Sequence, residues 1–243
     1  MNLKRALSKL WRLFLHWRYR IFWQHRHNRL VLEHVGGRPF LVLPEVFNPT
    51  LFWTSEILVG CFSEQLIPSA AAVLDLGTGS GVAAVFAAQW ASRVVAVDIN
   101  PAAVRCAKIN AILNQVEYKI DVRQGDLFDP VETERFDVIV FNPPYLPGEP
   151  ANRMDQAFYA TGLAERFAAA LSAHLKPQGH ALIILSSLGE EKEFLNALQD
   201  QGFAYRPIQQ KALIGEVLSV YLIAASPALV PASDARGSLG EGI

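Results

Sequence analysis

The sequence predicts an α/β fold with a mostly parallel, doubly wound sheet that carries helices on both faces. Three observations support this prediction. From about residue 70 to 225, short apolar strands alternate with helical patterns, which is typical of a parallel sheet with helical crossovers. The 243 residues are 51% hydrophobic and 19% charged, as in a globular protein and unlike a disordered one. The last two strands are joined too briefly for a helical crossover, so we expect an antiparallel hairpin at the sheet edge.

A basic, aromatic segment precedes this fold. Residues 1–30 hold eight Lys or Arg and no Asp or Glu, although the formal charge of the whole chain is −1. The rest of the chain is therefore acidic. We predict a basic helical arm over residues 1–35, which docks on the remaining chain, on an anionic membrane surface, or on RNA or the ribosome. Its apolar side chains recur at roughly helical spacing, at Leu3, Leu7, Leu10, Phe14 and Ile21.

Three further segments are predicted. Residues 36–66 open with two glycines and include a helix-compatible run at 51–65, so we expect a strap followed by a helix. Residues 67–225 form the main α/β domain. Residues 226–243 are rich in Ser, Gly, Pro and Ala, which predicts a flexible tail.

The first half of the main domain alternates strands and helices. Residues 73–76 form a buried apolar strand that runs into glycines, and the helical pattern of residues 81–90 follows. Residues 94–97 are a second buried strand. The next helix is expected to begin at Pro101, because proline is favoured at the first helical position. Residues 118–122 alternate apolar and polar side chains, as a half-buried strand does.

The second half of the domain is predicted on the same grounds. A Lys-Pro-Gln-Gly sequence at residues 176–179 is expected to end one helix, and Gly202 to close the next, since proline and glycine are common helix stops. The elements expected here are a buried strand at residues 138–141, a helix at 164–175, a strand at 181–185, a helix at 190–201, and hairpin strands near 205–210 and 217–224.

The first chemical motif lies at the end of the first buried strand. The sequence Val-Leu-Asp-Leu-Gly-Thr-Gly-Ser-Gly ends in a turn that contains Gly77, Gly79 and Gly81. Such glycines let the backbone approach a ligand, and the helix that follows offers free N–H groups. Asp98 ends the second strand, 21 residues after Gly77, and a carboxylate there can accept hydrogen bonds from both hydroxyls of a ribose. The motif therefore predicts a nucleoside-containing cofactor.

The identity of that cofactor follows from the spacing and the charge of the loop. The glycines read G-x-G-x-G, whereas dinucleotide sites read G-x-G-x-x-G, so a nicotinamide oxidoreductase is disfavoured. Asp75 places a carboxylate near the loop, which is unfavourable beside a pyrophosphate but suits an ammonium and a sulfonium. We therefore expect S-adenosylmethionine, bound by a group of residues that consists of Asp75, Gly77, Thr78, Gly79, Gly81 and Asp98.

This string resembles the first motif of the class I S-adenosylmethionine-dependent methyltransferases. The resemblance covers about residues 40–225 and implies a Rossmann-like fold, including its closing hairpin. It also implies a role for the loop after the third strand. There Asp126 and Leu127 match the acid and its neighbour that hold the adenine in this family.

The second motif is Asn142-Pro143-Pro144-Tyr145, directly after the fourth strand. A planar amide or amine nitrogen is a poor nucleophile because its lone pair is delocalised. The Asn142 side-chain carbonyl and the Pro143 backbone carbonyl can each accept one of its hydrogens, which aims the nitrogen at the methyl group. Pro143 and Pro144 stiffen the loop, and Tyr145 can stack on the planar group.

We therefore predict that Asn142, Pro143 and Tyr145 are catalytic, that Pro144 helps to bind the substrate, and that Asn142 also contacts the cofactor. The reaction expected from this arrangement is a direct in-line displacement that releases S-adenosylhomocysteine. No strong general base is required, because the nitrogen loses its proton late.

Residues 141–147 resemble the HemK/PrmC branch, which methylates the glutamine amide of a Gly-Gly-Gln loop in peptide-chain release factors. The resemblance implies a protein glutamine as substrate. The N-P-P-[FYW] element also occurs in methyltransferases that act on base amines of RNA or DNA, so a nucleic acid remains an alternative, as do a small-molecule amine and a binding module without turnover. The run Val46-Phe47-Asn48-Pro49 resembles the same branch, but residues 50–54 depart from its acidic-Thr pattern.

Other classes of site and location are excluded by composition. Cys61 and Cys106 form no C-x-x-C pair, and the six histidines show no ligand spacing, so no metal is expected. No run of about 20 apolar residues predicts a membrane span. The basic N-terminus lacks the apolar core and cleavage site of a secretory signal, so we expect a cytoplasmic protein.

Overall fold

The structure is a computed structural model that describes residues 29–51, 53–144 and 162–225. Most of the predicted arm and the predicted tail lie outside these residues. The strands are β1 Val31–Val35, β2 Arg38–Val42, β3 Ala72–Leu76, β4 Arg93–Asp98, β5 Ile120–Gln124, β6 Phe136–Phe141, β7 Leu175–Ser186, β8 Phe203–Leu213 and β9 Glu216–Ala225. The α-helices are α1 Thr54–Gly60, α2 Val82–Ala87, α3 Pro101–Leu113, α4 Leu163–His174 and α5 Glu191–Asp200, with a 3₁₀ turn at Asp129–Val131.

Seven strands form the central sheet in the order β5-β4-β3-β6-β7-β9-β8. Pairing is parallel from β5 to β7, whereas β9 runs antiparallel to both β7 and β8. The predicted α/β fold with a closing antiparallel hairpin is thus confirmed. The last strand lies between β7 and β8, so β8 forms the edge of the sheet.

Two apolar clusters cover the two faces of the sheet. On one face, α1 and α2 pack with fully buried side chains such as Leu58 and Val85. On the other face, α4 and α5 bring Phe167 and Phe194 against Phe141 of β6, with ring centroids 5.1 and 6.3 Å from the Phe141 ring. These rings support β6 up to its last residue, which immediately precedes the Asn-Pro-Pro motif.

The N-terminal part of the described chain differs from its prediction. Residues 31–35, expected at the end of the helical arm, form strand β1 and pair with β2. The turn between them contains Gly36 and Gly37, both at positive φ. The two glycines, predicted to open a new segment, therefore join the two strands of one hairpin. The helix expected at residues 51–65 is limited to α1.

Two strand positions also differ. The third strand begins at Ile120 and not at residue 118, because residues 116–119 form a turn in which the Lys119 N–H donates to the Val116 carbonyl at 3.0 Å. The helix expected to end before residues 176–179 does end at His174, but the strand expected at 181–185 begins already at Leu175 and pairs with β6 through a register shift. A Cβ on Gly179 would lie 2.9 Å from the carbonyl oxygen of Phe136, so glycine allows the two backbones to approach.

No helix within the described ranges is long and apolar enough to cross a membrane.

Candidate functional site

The candidate site lies where the direction of strand addition reverses. From β3 the chain adds β4 and β5 on one side, and it later places β6 on the other side of β3. Leu76 pairs with both Val97 and Phe141, so the residues that follow these three strands meet at one edge. This carboxyl edge, at a topological switch point, is the usual ligand site of an open α/β sheet.

The glycine loop after β3 is held in a left-handed conformation. Gly77, Gly79 and Gly81 have φ values of 61°, 55° and 83°. The Thr78 N–H donates to the Val97 carbonyl at 2.9 Å, which fastens the loop to β4. A Cβ on Gly79 would meet no atom nearer than 3.9 Å, so this residue borders open space.

Asp75 of β3 anchors the glycine loop that follows this strand. It is 3% exposed, and its Oδ2 accepts hydrogen bonds from the Thr78 hydroxyl at 2.6 Å and from the Ala84 N–H at 3.0 Å. Burial raises the pKa of Asp75 to about 7, although these two hydrogen bonds oppose the shift; the nearby Asp98 carboxylate adds to it. The Asp75 carboxylate therefore ties the loop to the first turn of α2.

Asp98 joins the glycine loop to the residues that lead into α3. Its Oδ2 accepts from the Gly79 N–H at 2.8 Å and its Oδ1 from the Asn100 N–H at 2.9 Å. The Asn100 side chain caps α3 and donates to the carbonyl of Glu45 at 2.7 Å. Burial raises the pKa of the Asp98 carboxyl, while the two backbone hydrogen bonds lower it.

Asp126 and Leu127 lie on the loop after β5. The preceding residue, Gly125, donates its N–H to the Asp98 carbonyl at 3.0 Å, which brings this loop to the same edge. The half-exposed carboxylate of Asp126 forms an ion pair with Arg166 of α4. Leu127 has a φ of 45°, an uncommon conformation for a residue other than glycine.

Asn142 lies directly after β6 and has one satisfied and one unsatisfied amide atom. Its Nδ2 donates to the Thr54 hydroxyl oxygen at 3.4 Å. Its Oδ1 is buried, and no donor among the described residues reaches it. A buried acceptor without a donor is rare and costs free energy, so this atom marks a place where a ligand N–H would be stabilised.

The rest of the second motif is only partly described. Pro143 is buried and Pro144 is half-buried, which places both beside Asn142 at the sheet edge. Tyr145, predicted to stack on the substrate, lies outside the described residues.

Three residues at this edge were absent from the sequence prediction. Thr54 contacts Asn142, Arg166 pairs with Asp126, and Ile99 follows Asp98 with 44% of its surface exposed. Only Ile99 had a local signal, since it is an apolar residue in a strand-to-helix junction. The other two depend on how helices α1 and α4 pack against the sheet.

The described residues fit the predicted cofactor. The loop is open above Gly79, and each Asp98 oxygen that accepts one backbone N–H has a second lone pair for a ribose hydroxyl. Ile99 offers an exposed apolar surface next to that carboxylate. Within the described ranges, no group of three or more His, Cys, Asp or Glu side chains is arranged to hold a metal ion.

Comparison with known protein sequences finds methyltransferases. The profile of the methyltransferase small domain family matches residues 39–202. A protein of Methanocaldococcus jannaschii that bears the name "Putative protein N5-glutamine methyltransferase" is 42% identical over 140 residues, which cover 54% of this chain and 70% of that protein. A release factor glutamine methyltransferase of Geobacter sulfurreducens is 32% identical over 184 residues, which cover 69% of this chain and 62% of that protein.

A solved structure shares the fold. A 16S rRNA N2 methyltransferase of T. thermophilus, in complex with AdoMet and guanosine, superposes with a TM-score of 0.60 at 23% identity. The superposition covers 81% of this chain and 50% of that one.

Proposed function

This chain belongs to the methyltransferase small domain family, and we propose that it transfers a methyl group from S-adenosylmethionine to the side-chain amide nitrogen of a protein glutamine. The observation that carries this proposal is the buried Oδ1 of Asn142, which has no donor among the described residues. An NH₂ group placed there would satisfy it.

The cofactor supplies, when bound, an electrophilic methyl group on a positively charged sulfonium. On the protein side, the Asp98 carboxylate is held by the N–H groups of Gly79 and Asn100, so its oxygens are fixed in direction before any ligand arrives. We assign Asp98 to the ribose hydroxyls. We assign Asp126 and Leu127, which Gly125 ties to the end of β4, to the adenine end of the site.

Asn142 orients the nucleophile in this proposal. Its Oδ1 accepts one hydrogen of the substrate NH₂ group, and the Pro143 carbonyl accepts the other. Two acceptors in fixed positions favour a pyramidal nitrogen whose lone pair is directed at the methyl group. The product nitrogen carries one methyl and one hydrogen, and the proton it loses passes to water.

Two findings favour a protein glutamine over a base amine. The relatives whose names include glutamine methyltransferase are 42% and 32% identical to this chain. The rRNA methyltransferase is only 23% identical, which supports the fold alone. We propose a release factor as the partner and the cytoplasm as the location. The predicted basic arm would add a contact to the ribosome or to an anionic membrane through its residues 1–30.

Incubation with methyl-labelled S-adenosylmethionine tests the proposal. Three probes are compared at equal concentration: a peptide that contains Gly-Gly-Gln, the same peptide with Glu in place of Gln, and total RNA. We expect label in the first probe only. Mass spectrometry should show that one hydrogen of the glutamine amide is replaced by a methyl group. Label in RNA and not in peptide would make this chain a nucleic-acid methyltransferase. Tight cofactor binding without label in any acceptor, including whole-cell protein, would indicate a binding module.

A further inference from the structure

Thr54 is the partner of the Asn142 amide although the two residues are 88 positions apart. Its hydroxyl oxygen accepts the hydrogen bond from Asn142 Nδ2 at 3.4 Å. Thr54 is the first residue of α1 and only 2% exposed, so solvent does not compete strongly for this contact.

The position of Thr54 is set by the packing of α1. Ile57, Leu58 and Val59 of this short helix are buried in the cluster on one face of the sheet, and the helix packs against α2 and β7. The first turn is closed by the Ile57 N–H, which donates to the Trp53 carbonyl at 2.9 Å. The hydroxyl is therefore presented by a packed helix and not by a free loop.

This contact fixes the place of the Asn142 amide. A hydroxyl can accept from an amide N–H or donate to an amide oxygen, so Thr54 can hold either orientation of the amide. In the observed orientation, Nδ2 has an acceptor in Thr54 and Oδ1 is left for a ligand. An incoming NH₂ group selects this orientation, because in the rotated one Nδ2 would meet its hydrogens and two donors would face each other.

On the basis of the proposed function, we infer that Thr54 is a positioning residue that holds the Asn142 side chain where its amide oxygen can accept from the substrate nitrogen. It acts through Asn142 and need not touch the substrate. Its loss removes the acceptor that Nδ2 has in the productive orientation, which raises the energy of that orientation.

A pair of substitutions separates the hydroxyl from the shape of the side chain. Thr54→Val keeps the branched shape and removes the hydroxyl, whereas Thr54→Ser keeps the hydroxyl. We expect Thr54→Val to lower kcat on the Gly-Gly-Gln peptide by about 10-fold or more, the scale of one lost buried hydrogen bond. Thr54→Ser should stay within about 3-fold of the wild type. Thr50→Val is the matched control, because Thr50 is exposed and its hydroxyl donates to Asn48 at 2.9 Å.

A second readout does not depend on turnover. The side-chain NH₂ resonances of Asn142 can be assigned in ¹H–¹⁵N spectra by their loss in Asn142→Ala. Thr54→Val should shift or broaden these two signals, whereas Thr54→Ser and Thr50→Val should leave them in place. If the wild type methylates no peptide, the proposed function fails, but this comparison still reports on the contact.

Two results would overturn the inference. One is an unchanged pair of Asn142 signals together with an unchanged kcat in Thr54→Val. The other is a loss confined to cofactor affinity, measured by calorimetry, with normal kcat at saturating cofactor, which would make Thr54 a cofactor ligand. Thermal unfolding of all three variants identifies any general loss of folding.

Discussion

The carboxylate of Asp98 accepts a hydrogen bond from the backbone N–H of Gly79 at 2.8 Å, so the acid that ends β4 holds the glycine loop that follows β3. The two residues are 19 positions apart and meet because β3 and β4 are parallel neighbours. Asp98 thus supports the shape of the loop in addition to any contact with a ligand.

Substitution of Asp98 should therefore weaken cofactor binding by two routes. We expect Asp98→Ala to reduce the affinity for S-adenosylmethionine by about 1.5–3 kcal/mol, the scale of a hydrogen bond to a charged group, as measured by calorimetry. Asp98→Asn is the matched variant, because its amide oxygen can still accept a hydrogen bond from the Gly79 N–H. It should lose less cofactor affinity than Asp98→Ala. An Asp98→Ala variant with wild-type affinity would remove Asp98 from the site.

Substitution of Asn142 should separate binding from turnover. Asn142→Ala removes the acceptor that we assign to the substrate nitrogen, so we expect kcat to fall by about 100-fold or more, the typical cost of one positioned polar group. Cofactor affinity should stay within a few-fold of the wild type. Single-turnover assays with labelled cofactor measure the first quantity and calorimetry the second. Equal activity of variant and wild type would contradict the role of Asn142 as an orienting group.

The fold and the residues along the carboxyl edge were largely predictable from local signals. Buried apolar runs, each followed by glycine, an acid or Asn-Pro-Pro, predict both the strands and the chemistry at their ends. Asp98 is an example, since its place after Val97 is enough to bring it to the edge next to Gly77. The assignment of these residues to cofactor and substrate stays a prediction.

The remaining features depend on packing that no local pattern encodes. The contact of Thr54 with Asn142 and the ion pair of Asp126 with Arg166 each join segments at least 40 residues apart. Near Gly179 the local signals were incomplete. Proline and glycine there predicted the end of a helix, which the structure has at His174, but not that the next strand begins at Leu175 and uses Gly179 for the close approach of the Phe136 carbonyl.

Two glycines of the loop should respond differently to alanine. A Cβ on Gly81 would lie 3.0 Å from the Cα of Ala107 in α3, and its φ of 83° adds strain. We expect Gly81→Ala to lower the free energy of unfolding by about 2–4 kcal/mol, from overpacking and backbone strain together. Gly79→Ala should cost only about 1–2 kcal/mol of strain, because its Cβ would enter open space.

The same pair should show the reverse order in cofactor binding. The methyl group of Gly79→Ala would occupy the open space next to the loop, where we place the cofactor, so we expect a loss of affinity of about 10-fold or more, which corresponds to about 1.4 kcal/mol. Urea unfolding and calorimetry on both variants give the two rankings. Identical rankings in stability and in binding would show that the two glycines share one role.

Removal of residues 1–30 tests the basic arm predicted at residues 1–35, most of which lies outside the described residues. We expect the shortened chain to bind S-adenosylmethionine within a few-fold of the full chain, because the candidate site begins beyond the first hairpin. It should lose a salt-sensitive association with a polyanion, since cationic side chains release counterions when they bind phosphate. Sedimentation with ribosomes, and separately with anionic vesicles, at rising salt measures this. An unfolded catalytic domain after the deletion would instead identify the arm as part of the fold.

The buried Asp75 carboxyl should make stability depend on pH in a direction opposite to that of most carboxylates. Its pKa is raised from 3.8 to about 7 by burial, so between these values the folded state holds a proton that the unfolded state has lost. The contribution of Asp75 to the free energy of unfolding therefore falls as the pH rises from about 4 to about 7, and is constant above that. Asp75→Asn keeps an oxygen for Thr78 and Ala84 but has no charge to bury. Without ligand, the free energy of unfolding of this variant relative to the wild type should rise by about 2–4 kcal/mol between pH 4 and pH 8. Each unit of pKa shift corresponds to about 1.4 kcal/mol. Urea unfolding of both proteins at four pH values gives this difference directly, and a difference that is flat with pH would show that Asp75 is ionised throughout.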